Sequence, residues 1–190
     1  MKTAKEILEY REKSLSGTLG IYYNNNLLKS TITMIGLLKK ALRDNSPVCM
    51  YTDCLSILGL EFEGEVMRVK DSITDDNPEW KDLNPSKELR DTFTEYVRKK
   101  PRSIRIIVRD PQKVPLPIRE ILEEYGVGLY ILISDLGLDY FTVTRGAYQI
   151  ENSDSVGSTN GSFMDPPNAQ MLEDLFNQEL IKRSTRINYE

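Results

Sequence analysis

Three apolar runs of this chain each stop on an aspartate: VCMYTD ends at Asp53, IRIIVRD at Asp110 and LYILISD at Asp135. Carboxylates are oxygen ligands, and three of them gathered in one place would suit Mg²⁺ or Mn²⁺. A cation held there could activate water against a phosphodiester, which is nuclease or phosphohydrolase chemistry. Such chemistry needs no histidine, and the chain has none. Without imidazole there is no His general base, no Ser–His or Cys–His pair and no imidazole zinc ligand. Each aspartate also has a plainer reading. Aspartate is frequent where a strand turns into a loop, because its carboxylate accepts from local backbone N–H groups. Asp110, for instance, precedes Pro111. Turn chemistry accounts for each of the three singly; only their convergence would make a site.

A second cluster is basic. RKKPRSIRIIVR puts Arg98, Lys99, Lys100, Arg102, Arg105 and Arg109 in twelve consecutive residues. They could form a patch for nucleic-acid phosphates. They could equally be a solvated helix end, where cations suit the dipole. The ten tyrosines could stack bases or pack at the edge of a core with a wet hydroxyl. Cys49 lies inside an apolar run, and with Cys54 it reads as core packing in a reducing compartment, not as a bridge or a metal pair. SLSGTLG has neither phosphate-loop spacing, and no G-x-S-x-G elbow occurs.

Elements must position these residues. The chain has 190 residues, 39% apolar and 28% charged, enough for one domain with its own core. A net charge of −4 gives no whole-surface attraction to nucleic acid or an anionic membrane, so any such contact must be a local patch. No apolar run nears the roughly 20 residues of a membrane span. MKTAKEILEYREK is too charged for the centre of a signal peptide. A cytoplasmic protein without a membrane partner is expected.

Along the chain, a polar N-terminal helix falls in 1–18, and LGIYY (19–23) reads as a strand. Asn24–Asn26 cap a helix over 27–43, and VCMYTD is a buried strand. Residues 54–84 read as a variable insertion or loop region. Asn84-Pro85 opens a helix with proline at its first position. Residues 103–134 form a β–α–β unit, which implies parallel pairing. DYFTVT and AYQIE, separated by Arg145-Gly146, suggest a β-hairpin. Residues 152–162 read as a loop, Asp165-Pro166-Pro167 caps a last helix, and the tail 184–190 is expected to fray. The whole is one α/β domain over 1–190. Its sheet is mixed and mostly parallel, flanked by helices, with a C-terminal β-hairpin and a terminal helix.

The order of elements in the second half, with Phe141, Val143, Gly146, Tyr148, Glu151, Phe163 and Phe176 at their places in it, resembles the C-terminal half of a phospholipase D-like domain. In that superfamily a strand carries H-x-K-x-x-x-x-D, and its histidine is the nucleophile. Here Leu138, Tyr140 and Arg145 fall where the histidine, lysine and aspartate would stand, so no catalytic residue carries over. The resemblance therefore implies a member without catalysis, a binding or regulatory module with no cofactor. It further implies self-association, because the family's cleft is made by pairing two halves. Arg145 would keep an anion-binding cleft for a nucleic acid, a nucleotide or a protein partner. The alternative reading is the Mg²⁺- or Mn²⁺-dependent phosphodiesterase on Asp53, Asp110 and Asp135.

Overall fold

A computed structural model of the chain describes residues 4–59, 83–132, 134–152 and 157–187. The elements run α1 (Ala4–Ser16), β1 (Ile21–Asn25), α2 (Leu27–Arg43), β2 (Val48–Thr52), α3 (Ser56–Gly59), α4 (Pro85–Lys99), β3 (Ile104–Val108), α5 (Leu116–Glu124) and β4 (Leu129–Leu132). They continue with β5 (Tyr140–Thr144), β6 (Ala147–Glu151), β7 (Ser158–Ser162), α6 (Pro166–Leu175) and β8 (Ser184–Ile187). One sheet holds all eight strands in the order β1-β7-β6-β5-β2-β3-β4-β8.

The sheet is mixed, as its sequence suggests. Parallel pairing is confined to β2–β3 and β3–β4, two of seven pairings and fewer than expected. β2 is buried at every position, which is why VCMYT is an unbroken apolar run. Helices α2, α4 and α5 cover one face around Leu38, Met50, Phe93 and Ile106. The C-terminal helix covers the other, where Phe176 meets Tyr51 and Phe141. Among the described residues no helix is long and apolar enough to cross a membrane.

Helix α2 is the centre of the packing, with 12 of its 17 residues buried. Asn26 caps it by accepting from the Lys29 N–H at 2.9 Å. Helix α1 crosses it closely at Gly36, where an added Cβ would lie 2.7 Å from the Ser14 carbonyl oxygen and 2.9 Å from the Phe163 ring. Glu88 of α4 ties both helices, accepting from Arg11 at 2.8 Å and Lys39 at 2.6 Å.

Two expectations are corrected. Residues 152–162 are not all loop: Ser158–Ser162 is β7, laddered to both β1 and β6. STNGS has no apolar periodicity, so its backbone ladder and the Thr159 hydroxyl, bonded to Asn24 and Ser30, hold it in place. The tail is not frayed up to Ile187: Ser184–Ile187 is β8 and covers the free side of β4. In the expected insertion 54–84, Ser56–Gly59 is a short helix and Asn84 caps α4, while 60–82 lie outside the described residues.

Candidate nucleic-acid interface

Strands β2, β3 and β4 are adjacent and parallel, so Asp53, Asp110 and Asp135 do share the carboxyl end of the sheet. They do not form one centre. The Asp53 carboxylate accepts from the Cys54 N–H and the Thr52 hydroxyl. Asp110 pairs with Lys113 at 3.0 Å. Asp135 accepts from the Gly137 N–H at 2.9 Å and pairs with Arg109 at 2.9 Å. Each carboxylate thus serves its own turn. Among the described residues no group of three or more acidic, cysteine or histidine side chains could hold a metal ion. Burial pushes both Cys49 and Cys54 up to about 11, so neither is a thiolate nucleophile near neutral pH.

The cations gather at the opposite end. Val48 stands across from both Ile104 and Thr144. The turn at Arg145, the connection through Lys100 and Arg102, and the α2–β2 link at Asn45–Pro47 therefore meet there. Side chains fasten them together. The Thr144 hydroxyl donates to the Pro47 carbonyl at 2.8 Å, and the Tyr96 hydroxyl donates to the Ser46 carbonyl at 2.7 Å. Lys100 donates to Asn45. The Asp165 N–H donates to the Gly146 carbonyl at 3.2 Å and docks the hairpin turn on the start of α6.

Each candidate cation has a definite place. Arg98, Arg102 and Arg145 are exposed and have no ion-pair partner among the described residues. Lys99 is paired with Glu95 at 2.5 Å. Arg105 leaves the group: it projects from β3 over the Phe176 ring at 5.9 Å, beside the Cys49 thiol. A stretch that is contiguous in sequence is thus divided by the strand, because residues after Ser103 alternate across the sheet. Lys40 and Arg43, read in the sequence as cations of the last helical turn and not as site residues, reach the same end through the last turn of α2. Both face Asp44, Lys40 at 2.5 Å and Arg43 at 3.8 Å. Their position after a helical run and before Asn45-Ser46-Pro47 was the available signal.

Between the hairpin turn, α2 and α6 lies a cleft of about 630 Å³. Arg145, Lys40 and Asp44 border it, Pro47, Phe163, Met164 and Pro166 form its apolar part, and Gln170 and Glu173 line it from α6. It offers cations, carboxylates and an apolar surface in one place, with no serine, threonine or cysteine among its lining.

A buried polar network, also unforeseen, fixes the strands beside this region. Tyr10 donates to Asn24 at 2.6 Å, Asn24 donates to Thr33 and Thr159, and Gln149 accepts from Thr33 and from the Tyr22 hydroxyl. Its members come from elements read for other reasons: Tyr10 from the polar N-terminal helix, Asn24 from a cap, Gln149 from a hairpin strand and Thr159 from an expected loop. Compared with protein-family models, curated proteins and solved structures, the chain gives no match.

Proposed function

We propose that this chain is a non-catalytic binding module of phospholipase D-like type that takes the phosphates of a nucleic acid on the amino end of its sheet. The observation that carries the reading is the convergence, at one end of the sheet, of cations without ion-pair partners among the described residues, while the cations Arg109 and Lys113 at the other end are paired with Asp135 and Asp110. Arg145, more than forty residues further along the chain, joins Arg98, Lys100 and Arg102 at one end, whereas Asp53, Asp110 and Asp135 occupy the other. On a chain of net charge −4 such a local basic surface has to be built by the fold. Phosphate contacts need cations that are not neutralised by a fixed carboxylate, and Arg102 and Arg145 meet that condition. The absence of any histidine, with both thiols protonated at neutral pH, supports binding without phosphodiester turnover. A cytoplasmic location and self-association belong to the same reading, the second resting on the phospholipase D-like resemblance.

Fluorescence anisotropy with a labelled oligonucleotide at low salt tests it. The Arg102→Ala/Arg145→Ala double variant is expected to bind about tenfold more weakly or worse. Arg109→Ala, at the acidic end, is expected to bind as wild type does. Equal loss in both variants, or no binding by wild type, refutes the assignment.

A further inference from the structure

The cleft beside Arg145 is more than a patch of charge, and its lining selects among nucleic acids. Phosphates alone require only an exposed cationic surface. This end of the sheet has, in addition, a concavity of about 630 Å³, within the range of roughly 300–1,000 Å³ typical of small-ligand pockets. Its apolar part is made by Pro47, Phe163, Met164 and Pro166. Met164 is 67% exposed, so its thioether side chain is open to contact at the cleft. The two ends of the cleft differ in charge. Arg145 is unpaired among the described residues, and Lys40 is held by Asp44. Glu173 lines the α6 side without an ion-pair partner among the described residues, so that side repels a phosphate. A carboxylate and an amide oxygen are instead acceptors for base amino groups.

We infer that this cleft receives an unpaired base of a single-stranded nucleic acid, with the adjoining phosphate on Arg145, the ring against Met164 and Pro47, and the base edge toward Gln170 and Glu173. The inference rests on the phosphate-binding reading above and sharpens it. A base inside a duplex cannot enter a cleft of this kind, because its faces are stacked and its pairing edge is occupied. A single strand presents both faces and edges, and apolar stacking surfaces beside a cationic track are the usual means of holding it. A strand is favoured over a free nucleotide because the basic surface extends past the cleft to Lys100, Arg102 and Arg98, giving it more than one phosphate to contact.

The test compares a labelled single-stranded oligonucleotide, as DNA and as RNA, with a blunt DNA duplex of equal length at one salt concentration. It uses the full chain, Met164→Ser and Arg145→Ala, with thermal melting as the check on folding. Wild type is expected to prefer the single strand by about tenfold. Met164→Ser should lower single-strand affinity several-fold, leave duplex affinity unchanged, and melt with wild type because its side chain is exposed. Arg145→Ala should weaken both. A duplex bound as tightly as a single strand, with the Arg145 effect intact, overturns the base-in-cleft assignment while leaving the phosphate reading standing. Loss of binding to neither substrate in Arg145→Ala overturns both readings, as does failure of wild type to bind either. Complete displacement of the strand by an equal concentration of a mononucleotide would make the occupant a free nucleotide, against the inference.

Discussion

Glu151 stands opposite Tyr140 on the β5–β6 ladder, and burial of its carboxyl, with Asp53 nearby as a second cause, raises it to about 7. A carboxyl raised in the folded state holds its proton longer there than in the unfolded chain. Its contribution to stability is therefore complete below its ordinary value of 4.5 and is lost as pH climbs to about 7. Glu151→Gln should melt with wild type near pH 4.5 and several degrees above it at about pH 8. A variant no more stable than wild type in alkaline buffer would contradict this. Nothing in AYQIE announced the effect, because alternation shows which face a residue takes and not how far a strand end is desolvated. The same limit separated Arg105 from its basic neighbours. Arg145, by contrast, was legible, since a two-residue turn with glycine leaves its partner exposed.

Among elements, legibility followed periodicity and caps. Asn26, Asn84 and Asp165 marked the starts of α2, α4 and α6, and each accepts a backbone N–H as expected. β7 and β8 were missed because STNGS and STRI carry no apolar alternation; their neighbours make them strands. The junction of α1, α2 and α4 rests on Glu88. Burial alone would raise its carboxyl, but the hydrogen bonds of Arg11 and Lys39 outweigh burial and hold it below the usual range. That contribution is present above the ordinary value of 4.5 and is lost as pH falls through the lower folded value. Glu88→Ala leaves two half-buried cations facing each other and should cost about 1–2 kcal/mol, discounted for partial exposure. Chemical denaturation reads it, and a change under about 0.5 kcal/mol would show the cluster to be ornamental. Gly36→Leu tests the α1–α2 crossing in the same assay. Backbone of α1 lies where the new side chain must go, so a loss of about 1–3 kcal/mol is expected, and wild-type stability would refute the close approach.

Across the whole molecule, a single strand register sorts the charges. Because β5 runs antiparallel to β2, the hairpin turn at Arg145 lands with the start of β3 and away from its end. The sequence shows acids after strands and cations before one of them, but adjacency in the sheet decides whether either set converges. The carboxylates share an end without sharing a ligand position. The cations share theirs with a cleft. The direct test is the slope of log affinity against log salt for an oligonucleotide. Each phosphate engaged contributes about −0.9 on a duplex and about −0.7 on a single strand. Wild type should show a slope steeper than about −2, and Arg102→Ala/Arg145→Ala should flatten it by between one and two. A slope near zero, or one that the double variant leaves unchanged, would contradict a phosphate-binding end on this fold.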